Sequence, residues 1–161
     1  MKIRIVTDVD IPQWLKLSSE HDCYVYESVQ DLSEWYDGNE NSISFSSYMK
    51  SKILQQEAFM SVDRNDVCLG IISFSKKSNN ITFFGISRQA DFRVTANALF
   101  QCAFEFLDTS RPIFINEIIS TSEWMNLYYN LYHELGFVFF GNSTENGVPV
   151  RTLVKTPSTH P

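Results

Sequence analysis

The stretch Glu123–Phe140, EWMNLYYNLYHELGFVFF, decides the fold that the sequence predicts. Its apolar side chains recur at three- and four-residue spacing, which places them on one helical face: Met125, Tyr128, Tyr129, Tyr132 and Leu135. Gly136 follows where a helix needs a left-handed residue to end, and Phe137–Phe140 has the length of a buried strand. The stretch therefore predicts an amphipathic helix that ends at a glycine and leads into a core strand.

One string in this stretch is more specific than its periodicity. Asn126, Tyr132 and the run LGF at 135–137 form the pattern N-x5-Y-x2-LGF. This pattern resembles the last helix and following strand of the GNAT superfamily of N-acetyltransferases. The resemblance implies an α/β fold, with a mixed, mostly antiparallel twisted sheet and helices on both faces. It also implies acetyl-CoA as cosubstrate, contacted by Asn126, and Tyr132 as the general acid that protonates the departing thiolate.

The other segments follow the element order of that family. Apolar or alternating runs predict strands at 2–7, 57–63, 68–74, 80–87, 113–119, 137–140 and 148–155. Helical periodicity predicts helices at about 10–20, 44–56 and 96–107, besides the one above. Asp10 is the predicted N-cap of the first helix, with Gln13 as its capping partner. We expect one domain over residues 1–156 and a flexible tail at 157–161.

Composition and charge limit the kind of partner. The chain has 161 residues, of which 43% are hydrophobic and 20% charged, as in a single globular domain. The net charge of −6 argues against nucleic acid, and no apolar run approaches the ~20 residues that span a bilayer. The cysteines and histidines form no metal-ligand pattern. We expect a cytoplasmic protein with reduced thiols and no metal, acting as a monomer or a homodimer.

The turn before the predicted helix 96–107 departs from the GNAT pattern. In that family a signature of approximately V-x-P-x-x-R-G-x-G-x-G-x-x-L binds the coenzyme A pyrophosphate through glycine amides. Ile86 and Leu99 fit the ends of this signature, but Asp91 replaces its arginine, and Phe92 and Val94 replace its first two glycines. The expected cofactor contacts are Phe84, Gly85, Ile86, Arg88, Arg93, Val94, Thr95 and Ala96, together with Asn126.

The strand end and the turn at 85–93 carry further expected contacts. Gly85 within a strand predicts a bulge, which would expose the Gly85 and Ile86 N–H groups to the acetyl carbonyl. Arg88 and Arg93 are expected to supply the positive charge that the signature arginine would have given. Asp91 is expected to cap the following helix, not to contact the ligand.

The segment Glu20–Glu40 carries seven acidic residues and no lysine or arginine, with aromatic residues interleaved. Two interpretations remain open. The segment is either a solvated acidic loop, or a mobile wall that attracts a cationic acceptor and packs aromatic faces around it. The second interpretation places Tyr24, Glu27 and Asp31 at the substrate.

Glu117, the one acid in an apolar predicted strand, is the remaining substrate-side candidate. It is either a general base with a raised pKa or the partner of a lysine or arginine, and a water relay to the acidic segment is a further candidate for the base. Two functions follow. Asn126 and Tyr132 favour an acetyl-CoA-dependent N-acetyltransferase acting on a cationic small-molecule or peptide primary amine. The altered signature favours a non-catalytic GNAT-fold binding module with weakened coenzyme A binding.

Overall fold

The structure is a computed structural model that describes residues 1–25, 40–119, 122–145 and 148–157. In chain order its elements are β1 (Lys2–Ile5), a 3-10 turn (Asp8–Asp10), α1 (Ile11–Val25), α2 (Glu40–Gln55), β2 (Ala58–Val62), β3 (Cys68–Ser75), β4 (Asn80–Ile86), α3 (Phe92–Phe106), β5 (Ile113–Ile118), α4 (Glu123–Glu134), β6 (Phe137–Glu145) and β7 (Val148–Lys155). The described residues thus contain every predicted strand and helix, in the predicted order.

The strands form one seven-stranded sheet in the order β1-β2-β3-β4-β5-β7-β6. Only the pairing of β4 with β5 is parallel; the other neighbours are antiparallel. The predicted fold class, a mixed and mostly antiparallel sheet, is therefore confirmed. β6 and β1 lie at the two edges.

Helices cover both faces of this sheet, as predicted. On one face, α1 and α2 bury Trp14 and Met49 against strand residues such as Met60. On the other face, α3 and α4 pack around Phe100 and Phe84. Because successive strand residues point to opposite faces, each central strand contributes to both cores. β4 therefore lies between the two helical layers.

The structure tests the predicted start of α1 and the predicted end of α4. Asp10 directly precedes α1, but its carboxylate turns back to accept the Thr7 N–H at 2.8 Å and to pair with Arg4 at 2.8 Å. The predicted reciprocal cap with Gln13 is wrong, since the Gln13 amide oxygen accepts the Cys68 N–H instead. The predicted end of α4 is confirmed, because the residue after its C-cap, Gly136, has a φ of 94°.

Candidate active site

β4 and β5 pair only at their beginnings. Their Cα partners are Asn80 with Phe114 and Ile81 with Ile115, although β4 continues to Ile86. β5 instead pairs with β7 along its whole length. The two parallel strands therefore separate, and within the described residues no strand covers the edge of β4 beyond Ile81. This wedge-shaped opening exposes backbone groups to which an extended ligand can bind.

Alternation along β4 decides which amides face the opening. The Ser87 N–H donates to Leu69 O at 2.9 Å, on the β3 side. In an antiparallel pair successive amides point to opposite sides, so the N–H groups of Phe84 and Ile86 face the opening, whereas that of Gly85 faces β3. The expectation that Gly85 would offer its own amide is therefore wrong.

β4 contains a bulge, but not at Gly85, where the sequence predicts it. Ser73 of β3 is opposite Phe83, but the next residue, Phe74, is opposite Ile81. Thr82 is therefore the extra residue, and the bulge lies at Thr82 and not at the glycine. It coincides with the point where β4 leaves β5, because a bulge bends the strand that carries it.

The Ile86 amide is already occupied by a residue of α4. It donates to the Tyr128 hydroxyl at 2.9 Å. Tyr128 is completely buried, and burial raises the pKa of its hydroxyl, which is therefore protonated at neutral pH. Of the two amides that face the opening, the Phe84 N–H is the one left for a ligand. Sequence analysis placed Tyr128 only on the apolar helical face, where nothing in the pattern signals a bond to β4.

Tyr132 lies one helical turn after Tyr128, inside an aromatic cluster. Its ring centroid lies 6.2 Å from each of Phe84, Phe100 and Phe137. The side chain is only 4% exposed, and none of the described residues hydrogen-bonds to its hydroxyl. Burial, with a smaller contribution from nearby oxygens including the Glu117 carboxylate, raises its pKa well above the usual value. The structure thus places a protonated hydroxyl in the aromatic cluster that contains the Phe84 ring of β4.

The first turn of α3 closes the wide end of the opening. Asp91 accepts the Val94 N–H at 3.2 Å, so the predicted cap is confirmed. Phe92 packs edge-on against Tyr128 at 4.9 Å and Trp124 at 5.7 Å between ring centroids. The ring that replaces the first glycine therefore joins α3 to α4. The N–H groups of residues 92 and 93 belong to this first turn, where helix geometry leaves amides without an intrahelical acceptor.

The two arginines contact α4. Arg93 forms a two-pronged ion pair with Glu134, at 2.5 and 3.0 Å, and each partner shifts the other's pKa towards the charged form. The Arg88 guanidinium lies 5.1 Å from the centre of the Trp124 ring. The positive charge of Arg93 is thus already compensated. Asn126 is exposed on α4, and its expected cofactor contact stays a prediction.

Thr95 and Ala96, two further expected cofactor contacts, are buried in α3. The Thr95 N–H donates to Asp91 O at 3.0 Å and so belongs to the helix. Val94 is 54% exposed beside them. Any contact of these three residues with a cofactor stays a prediction.

Solved structures of several other proteins share this architecture. A GNAT-family acetyltransferase from Streptococcus agalactiae matches 98% of this chain and 96% of its own, with a TM-score of 0.69 and 14% identity. The chain has the GNAT fold. The yncA protein of Salmonella typhimurium, solved with its cofactor acetyl-CoA, matches 99% of this chain and 95% of its own (TM-score 0.59, 12% identity). A chain of the NatC complex, bound to Gag peptide and CoA, matches 99% of this chain and 100% of its own (TM-score 0.58, 16% identity). Comparisons with protein-family models and with curated protein sequences found no match.

In this GNAT fold, Glu117 of β5 faces α4. One carboxylate oxygen lies 3.3 Å from Arg151 Nε, and the other is buried without a hydrogen-bond partner among the described residues. Burial raises the pKa of Glu117 to about 7, although Arg151 acts in the opposite direction. Glu117 and Arg151 line an open cleft of about 410 Å³ together with Tyr129, His133 and Phe139. Both sequence interpretations of Glu117, a paired acid and an acid with a raised pKa, therefore apply.

A cluster that sequence analysis missed lies on the other face of β4. The hydroxyls of Tyr48, Ser73 and Thr82 lie within hydrogen-bond distance of one another, between 2.6 and 3.1 Å. They come from α2, β3 and β4, and no spacing in the sequence connects them. Only the bulge at Thr82 and the packing of α2 on this face bring them together.

The remaining substrate-side predictions fall outside the described side chains. Tyr24, Glu27 and Asp31 belong to this group, so the acidic wall stays a prediction. Among the residues that the structure describes, no group of three or more histidine, cysteine, aspartate or glutamate side chains could hold a metal ion. No helix in the same part of the chain is long and apolar enough to cross a membrane.

Proposed function

We propose that the protein is an acetyl-CoA-dependent N-acetyltransferase that moves an acetyl group to a primary amine by direct attack. One observation carries this proposal: the opening between β4 and β5, with the Phe84 amide on its edge and the Tyr132 ring in the same aromatic cluster as the Phe84 ring. The opening offers an unpaired strand edge to an extended cofactor arm. Relatives of the same fold that were solved with acetyl-CoA or CoA support the choice of cosubstrate.

The residues around the opening match the needs of thioester aminolysis. As the amine attacks, negative charge develops on the carbonyl oxygen, and an amide aimed from β4 stabilises it. The Phe84 N–H is the proposed donor. The carbon–sulfur bond then breaks, and the thiolate takes the proton of the Tyr132 hydroxyl. Because Tyr132 is buried and its pKa is raised, it holds this proton until the thiolate forms.

Tyr132 must regain a proton after each turnover. Glu117 lies close enough for its charge to raise the pKa of Tyr132, and its own pKa of about 7 lets it exchange protons at neutral pH. We assign the return of this proton to Glu117, which takes it from solvent through the cleft beside Arg151. The proton that the amine nitrogen loses as the carbon–nitrogen bond forms is released to solvent, so the protons balance over one turnover. The acceptor is proposed to be a cationic small-molecule or peptide amine, because of the acidic segment Glu20–Glu40.

Binding of acetyl-CoA tests the proposal first. A ligand at 100 times its dissociation constant should add about 2.7 kcal/mol to the free energy of unfolding, which raises Tm by several degrees. Release of the coenzyme A thiol should then be measured with a panel of primary amines at saturating acetyl-CoA. Absence of acetyl-CoA binding at millimolar concentration would reject the enzyme.

The helix end at α3 favours a second candidate, a non-catalytic module with weakened coenzyme A binding. The Asp91 carboxylate lies where phosphate would bind, and Arg93 is already paired with Glu134. Such a module would bind coenzyme A weakly, with strong dependence on salt, and would release no thiol with any amine. The same two measurements therefore separate the candidates.

A further inference from the structure

Three hydroxyls from three separate elements form a closed ring. The Tyr48 hydroxyl of α2 lies 2.6 Å from Ser73 Oγ and donates to Thr82 Oγ1 at 2.6 Å. The Ser73 and Thr82 oxygens are 3.1 Å apart. Three O–H groups and three contacts are present, so with Tyr48 donating to Thr82, Thr82 donates to Ser73 and Ser73 to Tyr48. We call these three groups the hydroxyl ring.

The position of the hydroxyl ring relates it to the proposed reaction. Thr82 is the bulge residue and comes directly after the last β4–β5 pair at Ile81, so the ring lies at the narrow end of the opening. Tyr48 reaches it from α2, on the sheet face opposite α3 and α4. Tyr132 approaches β4 from α4, on the other face. The ring and the proposed acid thus flank the same stretch of strand from opposite sides.

The chemistry of the hydroxyl ring selects a ligand. A hydroxyl has one proton to donate and two lone pairs to accept. Inside the ring the Thr82 oxygen uses its proton and one lone pair, so what it offers to a ligand is its second lone pair. Thr82 is exposed, whereas Ser73 is buried, so the Thr82 oxygen is the accessible member. A group with only acceptors, such as a carboxylate, finds no donor here, but a primary ammonium offers three N–H groups.

We infer that the hydroxyl ring binds the amino group of the acceptor, a primary amine that arrives as its ammonium ion and loses one proton to solvent before it attacks. This assignment rests on the proposed acetyl transfer for its role, although the binding chemistry stands on the ring alone. It names a contact for the acceptor that is formed by described residues and is separate from the acidic segment.

Titration with a small ammonium ion tests the site without knowledge of the true acceptor. Methylammonium chloride is added to ¹⁵N-labelled protein at constant ionic strength, and tetramethylammonium chloride, which has the same charge but no N–H, is the matched control. We expect saturable shifts of the Ser73, Thr82 and Phe83 amide signals with methylammonium only. Thr82→Val, which keeps the shape but removes the hydroxyl, should weaken binding at least ~10-fold, and Thr82→Ser should retain it.

Three results would overturn the inference: no saturable shift at these residues, equal shifts with tetramethylammonium, or unchanged binding in Thr82→Val. If the protein acetylates amines, Thr82→Val should also raise the KM for the amine at least ~10-fold while the Kd for acetyl-CoA is unchanged. An unchanged KM would also overturn it. If methylammonium binds as expected but acetyl-CoA does not, the proposed acetyltransferase fails and the ammonium site stands.

Discussion

At the residue scale, two tyrosines one helical turn apart have the same burial but different hydrogen bonding. Tyr128 accepts the Ile86 N–H, whereas the Tyr132 hydroxyl has no hydrogen-bond partner among the described residues. A hydroxyl that already satisfies a backbone amide stabilises the strand edge, whereas an unsatisfied buried hydroxyl is available to a ligand. The same substitution, tyrosine to phenylalanine, should therefore have different consequences at the two positions.

Tyr132→Phe should leave acetyl-CoA binding unchanged and lower kcat by roughly 10² or more, because only the proton donor is lost. Calorimetric titration gives the Kd, and thiol release at saturating amine gives kcat. Tyr129→Phe is the matched control. It also removes one hydroxyl from α4, but this hydroxyl donates to Ile118 O. An equal loss of kcat in both variants would mean that α4 packing, and not the Tyr132 hydroxyl, controls the rate.

Tyr128→Phe should increase the affinity for acetyl-CoA several-fold, because it frees the Ile86 N–H for the cofactor arm. The lost hydrogen bond should cost about 1 kcal/mol of stability in the absence of ligand. Titration calorimetry and urea denaturation measure the two effects. Weaker binding in this variant would instead identify the Tyr128 hydroxyl as a ligand contact.

At the element scale, the ends of two helices determine the opening. The first turn of α3 presents two N–H groups towards it, with the Asp91 carboxylate bound to a third amide. The last turn of α4 must stop at once so that β6 can return to the sheet, and Gly136 permits this with a φ of 94°. Each helix end can be tested by one substitution.

Asp91→Asn should keep the cap, because asparagine is as good an N-cap as aspartate. It should also tighten acetyl-CoA binding and reduce its salt dependence, because a negative charge beside the proposed phosphate site is removed. Glu105→Gln makes the same change in net charge on an exposed residue near the other end of α3. If both variants bind alike in a salt series, only net charge matters and α3 does not hold the phosphates.

Gly136→Ala should destabilise the fold by about 1–2 kcal/mol, because a residue with a Cβ adopts a positive φ at that cost. The added Cβ would also come within 3.1 Å of Lys155 Nζ, the far end of a flexible side chain. Gly141→Ala is the control, since its Cβ would meet nothing within 4 Å. Urea denaturation measures both. Equal stability of the two variants would contradict the assigned role of Gly136.

At the scale of the whole molecule, the buried carboxyl of Glu117 makes the stability of the fold depend on pH. Its folded-state pKa of about 7 lies above the ordinary value of 4.5. The folded protein therefore binds more protons than the unfolded chain between these values, and the contribution of Glu117 to stability falls as pH rises from about 4.5 to 7. Above pH 7 the penalty is constant.

Glu117→Gln should remove this pH dependence. As pH rises from about 4.5 to 7, the unfolding free energy of the parent should fall relative to that of the variant. Chemical denaturation across that range measures it. If Glu117 reprotonates Tyr132 as proposed, kcat of the parent should fall as pH rises past about 7, and the variant should lack this fall. If the difference in stability between parent and variant were constant across this pH range, the pKa of Glu117 would not be raised in the folded protein.

The amino-acid sequence alone determined the order of elements, because hydrophobic periodicity and a helix-ending glycine are local properties. It also indicated Tyr132, through a short pattern within one helix and its following strand. Only the tertiary structure decided which amides face the opening, since the register between β3 and β4 sets that direction and Thr82 shifts it. It also decided that the Tyr128 hydroxyl accepts the Ile86 N–H, and that the hydroxyls of Tyr48, Ser73 and Thr82 lie together. Such contacts depend on how separate elements pack, and a pattern within one segment carries no information about them.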